Sequence, residues 1–197
     1  PSMGAFNTPV LIYNFSNSTI FQHDQSDFAD AIRTSWLRSP AQFRTTFAME
    51  SFMDELAAAA GIDPVQFRLQ YLTDQRLIDV LNAVAQAARW EARPSPSASA
   101  TTRGVTTGRG VAMANRDGTL IAEVAQVTVD PSAGSVMVNQ FWAAQDNGLT
   151  INPKAVQGQI ESNIIQATSR TLKEEVQFDQ SSVTSLDWRG VSDPDLP

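Results

Sequence analysis

Apolar and polar positions follow different rhythms in different parts of this chain, and each rhythm predicts a different element. Near the start, residues 10–15 (Val-Leu-Ile-Tyr-Asn-Phe) and 19–21 (Thr-Ile-Phe) are short β-prone runs between polar turns, and they read as two strands. Further on the period changes. Met49, Phe52, Met53, Leu56 and Ala60 recur at helical spacing, with Glu50, Asp54 and Glu55 on other faces. Thr45 or Thr46 can cap this helix, and Gly61 supplies a left-handed stop. Asp63 is then a good N-cap for a new helix, with Pro64 at a first position that needs no N–H. After Thr73 another helix carries Leu77, Val80, Leu81, Val84 and Ala88 on one stripe.

Residues 94–107 are mostly Pro, Ser, Ala and Thr, with little to bury, and read as a mobile linker or surface loop. Three strand candidates follow at 108–115, 120–129 and 136–144. Asp117-Gly118 and Pro131-Ser132-Ala133-Gly134 sit between them as hairpin turns. The loop Asp146-Asn147-Gly148 leads to a long helix over 153–174, whose predicted buried stripe is Val156, Ile160, Ile164 and Ala167. A hairpin at 176–178 and 183–188 and an acidic tail complete the chain. The predicted class is α+β, a mixed or antiparallel sheet packed with helices. Three parts are expected: a strand-plus-helical segment over 1–92, a linker over 93–107, and a sheet with a covering helix over 108–197. Together they could also form one composite domain.

Composition narrows the chemistry. The 197 residues are 42% hydrophobic and 18% charged, enough for a core. Fourteen Lys and Arg against 21 Asp and Glu give a net charge of −7, which argues against a nucleic-acid partner because phosphates need clustered cations. With no Cys, the chain itself can hold no disulfide, thiolate zinc site or iron–sulfur cluster, although this leaves the compartment open. No apolar run approaches the roughly 20 residues of a membrane span. Pro1-Ser2-Met3-Gly4 has neither the basic nor the apolar region of a signal peptide.

His23, the single histidine, lies in a polar stretch and reads as a surface residue. Glu50 and Asp54, four apart on a helix, read as a solvated face rather than a shared metal or proton site. Glu174-Glu175 reads the same way. The glycines of Arg103-Gly104-Val105-Thr106-Thr107-Gly108-Arg109-Gly110 lack phosphate-loop spacing.

Ordered blocks are more informative than any single motif. Trp36-Leu37-Arg38-Ser39-Pro40 is followed by Phe47-Ala48-Met49-Glu50-Ser51-Phe52-Met53-Asp54-Glu55-Leu56-Ala57 and, in register, by Gly61-Ile62-Asp63-Pro64-Val65-Gln66-Phe67-Arg68. Gly108-Arg109-Gly110-Val111-Ala112 and Ala122-Glu123-Val124-Ala125-Gln126-Val127 come next. Asp146-Asn147-Gly148, Ile151-Asn152-Pro153 and Gln157-Gly158-Gln159-Ile160-Glu161 close the series. In this order, across about residues 10–188, the blocks resemble the molybdopterin-binding subunit of the xanthine oxidase/aldehyde oxidase family, most of all its isoquinoline 1-oxidoreductase β-subunit-like branch.

The resemblance implies a molybdenum cofactor-binding-domain-like fold and a fragment of a molybdenum hydroxylase. Such enzymes insert a water-derived oxygen into an aldehyde or N-heteroaromatic compound. The cofactor it implies is molybdopterin cytosine dinucleotide with molybdenum, which supplies the difficult chemistry. The implied partners are the remainder of the subunit, an iron–sulfur subunit that carries electrons away, and a small-molecule substrate. Arg38 aligns with the family's arginine beside the molybdenum pocket. Gln159, at the start of the long helix, aligns with a residue near the cofactor, where helix N–H groups could meet phosphate.

This chain departs from the family in places. Ser162-Asn163 replaces the Gly-Gly that usually follows Gln-Ile-Glu, and Ala41-Gln42 replaces a glycine after Arg-Ser-Pro. The family's Gly-Gly-Gly-Phe-Gly cofactor segment and its Gly-x-Gly-Glu segment, which carries the general-base glutamate, do not occur. The expectation is therefore a piece that is inactive and cofactor-free in isolation. The competing reading is a short non-catalytic homologue that serves as a binding or assembly module.

Overall fold

The computed structural model describes residues 10–19, 21, 42–95 and 104–185. Among them four helices and three strands follow in the order α1 (Gln42–Ala60), α2 (Pro64–Tyr71), α3 (Gln75–Ala87), β1 (Thr106–Arg116), β2 (Thr119–Asp130), β3 (Ser135–Asp146) and α4 (Pro153–Leu172). The strands form one antiparallel sheet of order β1-β2-β3. The class is α+β, as the sequence predicts.

Local chemistry explains most of the boundaries. Gly61 has φ +67, with Ile62 N–H donating to Ala57 O at 3.0 Å and Gly61 N–H to Ala58 O at 3.1 Å, the paired bonds of a left-handed helix stop. One oxygen of Asp63 accepts the Val65 and Gln66 N–H groups, both at 3.0 Å, and so caps α2. Asp117 and Gly118 both have positive φ, 51 and 85, as a two-residue hairpin turn requires.

The chain divides into two compact units. The first takes the described residues before 96 together with Arg109–Ala125 and Trp142–Gly148. Its core joins Met53 and Ala57 of α1, Val65 and Phe67 of α2, and the predicted α3 stripe of Leu77, Val80, Leu81 and Val84 with Ala88. Val111 and Met113 of β1 and Leu120, Ala122 and Val124 of β2 belong to the same core, alternate residues from one face of the sheet.

The second unit takes Gly104–Gly108, Gln126–Phe141 and the residues from Leu149 onward. Thr107 Oγ1 lies 3.2 Å from Thr128 Oγ1, which donates to Asn139 Oδ1 at 2.8 Å, so a polar ladder runs across the three strands. At the β2–β3 turn the Asp130 carboxylate accepts the Ser132 and Ala133 N–H groups. In α4, Asn152 caps Ala155 N–H and Pro153 takes the first position. Val156, Ile160, Ile164 and Ala167 are only half-buried, and no α4 residue is fully buried. Phe178 and Val183 form a single antiparallel bridge in the expected terminal hairpin.

Three expectations change. Residues 10–15 form no strand: Asn14 N–H donates to Tyr71 O at 2.7 Å, and the Phe15 ring sits 4.4 Å from that of Tyr71. The run is held by the end of helix α2 instead. Helix α1 starts at Gln42, and Thr45 Oγ1 donates back to Gln42 O within the helix rather than capping it. Thr106 and Thr107 belong to β1. His23, residues 96–103 of the expected linker and the 186–188 end of the last hairpin lie outside the described residues.

Candidate functional site

The largest departure from the sequence reading lies on α1. Glu50 is 4% exposed rather than solvated. Three steps before Met53 and seven before Ala57, it shares their stripe and is carried with them into the core. A carboxylate there requires partners. Arg68 on α2, fully buried, donates from Nε to Glu50 Oε2 at 3.0 Å, from Nη2 to Glu50 O at 3.0 Å, and from Nη1 to Asp54 Oδ1 at 2.7 Å. The Tyr13 hydroxyl donates to Glu50 Oε1 at 2.8 Å, and Met113 N–H to Oε2 at 2.9 Å.

Burial pushes the Glu50 carboxyl above its ordinary value, while Arg68, Tyr13 and Met113 oppose that shift. Burial and the adjacent Glu50 both raise the Tyr13 hydroxyl. Desolvation works against the Arg68 charge, yet Glu50, Tyr13 and Asp54 hold the guanidinium above its usual range. Among the described residues no buried side-chain polar atom lacks a hydrogen-bond partner. This cluster is closed, and its role is to fasten residue 13, α1, α2 and β1 together.

The Asp146-Asn147-Gly148 block is held from outside. Arg76, in the first turn of α3, grips the Asp146 carboxylate with Nε at 2.7 Å and Nη2 at 2.8 Å, and Gly148 N–H donates to Asp146 Oδ1 at 2.9 Å. The Arg76 bond, with the Gly148 N–H beside it, keeps the Asp146 carboxyl far below the usual carboxylate range.

Gln159 lies in the second turn of α4, and its side chain is exposed. Its carbonyl accepts the Asn163 amide at 2.8 Å, and Gln166 Nε2 donates to Ser162 Oγ at 3.0 Å. The two side chains that replace the family's glycines thus bond within their own helix. A Cβ added at Gly158 would meet nothing within 4 Å, so this part of α4 is open. Arg38 lies outside the described residues. Sequence reasoning missed Glu50, Arg68 and the Arg76–Asp146 fork. For Glu50 a signal was present, since a carboxylate between Met49 and Met53 falls on the apolar stripe.

Among the described residues, no group of three or more His, Cys, Asp or Glu could hold a metal ion, and no helix is long and apolar enough to cross a membrane. The stretch around Gly158 and Gln159 is open surface.

Comparison with known proteins agrees with the motif blocks. The molybdopterin cofactor-binding domain family matches residues 33–186. The chain is similar to a subunit of the nicotinate dehydrogenase of Pseudomonas putida, 39% identical over 183 residues that make up 87% of this chain and 15% of that protein. It is 32% identical over 148 residues to the beta subunit of isoquinoline 1-oxidoreductase from Brevundimonas diminuta, covering 75% of this chain and 18% of that protein. A membrane-bound aldehyde dehydrogenase (pyrroloquinoline-quinone) of Gluconacetobacter polyoxogenes is 28% identical over 170 residues, 78% of this chain and 22% of that protein. The chain therefore spans between about a seventh and a fifth of the length of these relatives. No solved structure matches it. The chain belongs to the molybdopterin cofactor-binding domain family.

Proposed function

We propose that this chain is a segment of the molybdopterin-binding subunit of a molybdenum hydroxylase acting on an aldehyde or an N-heteroaromatic compound. The observation that carries the reading is the ordered match over residues 33–186, together with the names of the relatives. In such a reaction water supplies the oxygen, the substrate C–H bond gives up two electrons and one proton, and the water gives up the second proton. When bound, molybdopterin cytosine dinucleotide with molybdenum supplies the oxygen transfer and the electron uptake. A partner iron–sulfur subunit receives the electrons; this segment, without Cys, ligates no cluster itself. The α+β arrangement serves as part of the family's cofactor-binding fold.

Within this segment two residues are assigned to the chemistry. The Arg38 guanidinium orients the substrate and stabilises negative charge as it develops there. Gln159 would help hold the cofactor through its exposed side-chain amide. First-turn N–H groups of α4 are less available for this, because Asn152 already accepts Ala155 N–H and Pro153 has none to give. The general base and the glycine-rich cofactor segment come from elsewhere in the subunit, so the chain alone is inactive.

The test is Arg38→Ala in the complete subunit. Turnover falls about 10²–10³-fold with molybdenum content unchanged, as removal of a preorganised charge stabiliser does. Arg38→Lys shows a large loss too, because it keeps the charge without the planar fork. Turnover of the Ala variant within about threefold of wild type would remove Arg38 from the reaction.

A further inference from the structure

Within the first unit, the sheet face opposite the core is built from residues that a water-facing strand ordinarily avoids. Val111, Met113, Ala122 and Val124 point into the core, and Trp142 and Ala144 pack against it. Gly110, Ala112 and Ala114 of β1, Ile121, Glu123 and Ala125 of β2, and Ala143 of β3 therefore share the other face. The Asp117-Gly118 turn pairs Arg116 with Thr119, and Thr107 beside Thr128 keeps that register, which sets Ala112 directly across from Glu123. Gly110, Ala112 and Ala143 are exposed, and a Cβ added at Gly110 would meet nothing within 4 Å. The Glu123 carboxyl is half-buried and desolvated, with no charge or hydrogen bond offsetting that desolvation. We propose that this face docks a stretch of the same subunit that lies outside these 197 residues, with a lysine or arginine of that stretch meeting the Glu123 carboxylate.

An antiparallel sheet that keeps its second face in water alternates apolar with polar residues. Here both faces are apolar, and the outer one carries side chains short enough for another backbone to come close. Glu123 is the charged residue in its middle. Toward the strand ends, Gln145 donates to Asn147 at 3.4 Å, and Arg116 is engaged with Gln42 and Asp117, so neither serves Glu123. Covering this face desolvates the carboxylate further, and a carboxylate buried in that way requires a compensating charge. The chain's own balance, 14 Lys and Arg against 21 Asp and Glu, points to a basic partner. The occupant is assigned to the same subunit because the chain makes up only 15–22% of the relatives it matches, which leaves most of the subunit to be placed around it. The proposal rests on the function proposed above only in taking the chain as part of a longer subunit.

The test compares the 197-residue chain with the complete subunit prepared without its iron–sulfur partner. Ala112→Cys is labelled with a maleimide in each, and the rate is read at the peptide that carries residue 112; Ala143→Cys is a second probe on the neighbouring strand. Both thiols are expected to react about tenfold or more slowly in the subunit than in the chain, because the docked stretch must open first. Adding Glu123→Gln to Ala112→Cys should speed labelling of the subunit about tenfold, since the docked cation is left buried without its partner, and should leave the chain's rate unchanged. Equal rates in chain and subunit would overturn the docking face. So would protection that appears only when the iron–sulfur partner is added, or slow labelling of the chain in a dimer, which would assign the face to a second copy. Unchanged protection in the Glu123→Gln subunit would overturn the basic partner. No readout here needs the metal, so a subunit that lacks molybdenum yet protects residue 112 would count against the hydroxylase function alone and support the docking.

Discussion

Arg68 Nε lies 3.0 Å from Glu50 Oε2, and the two side chains are 0% and 5% exposed. The ion pair is therefore removed from solvent, and Arg68 is the one cation beside the buried Glu50 carboxylate among the described residues. Arg68→Ala leaves the Glu50 carboxylate buried without its cation and is expected to destabilise the chain by about 3–5 kcal/mol. Urea unfolding of the 197-residue chain measures this directly. A loss under about 1 kcal/mol would place the pair in the weak surface class.

Asp63 offers a second stability test. One of its oxygens caps α2, and the other accepts Trp90 Nε1 at 2.9 Å and Arg93 N–H at 3.0 Å. Asp63→Ala should cost about 2–4 kcal/mol, more than the ~1 kcal/mol of an ordinary cap, because the segment after α3 also loses its acceptor. Trp90 fluorescence reports that second part, and an unchanged spectrum would argue against it.

Glu123 contributes one identifiable part of the pH response. It lies on β2 between the core-facing Ala122 and Val124, on the opposite face of the sheet, and burial alone raises its carboxyl above the ordinary value of 4.5. A carboxyl raised on folding contributes stability that is complete below 4.5 and is lost as pH rises through the raised value. Glu123→Gln carries no such dependence. Its melting temperature is expected to exceed wild type at neutral pH and to converge with it in acid. Parallel curves across that window would contradict this assignment.

Much of this architecture is legible in the sequence where local chemistry decides it. Gly61, Asp63 with Pro64, the α3 stripe and Asp117-Gly118 each specify a boundary within a few residues, and the structure follows them. Long-range pairing is what a single chain read in order conceals. Glu50 looks solvated until Arg68, 18 positions on, arrives beside it. Residues 10–15 have strand composition, but the partner available to them is the Tyr71 carbonyl at the end of a helix. The α4 stripe is legible as a pattern, but the depth of its burial is not, because depth depends on what covers it. The motif blocks identify the family, while Arg38 lies outside the described residues and Gln159 stands on an open surface.

Metal content tests the central claim most directly. The complete subunit, produced together with its iron–sulfur partner in a host that makes the molybdenum cofactor, should show about one molybdenum per molecule in elemental analysis, because its cradle is whole. The 197-residue chain, purified from the same host, should contain none in stoichiometric amount. A complete subunit free of molybdenum would contradict the hydroxylase account, and about one molybdenum on the isolated chain would contradict the claim that its cradle lies elsewhere.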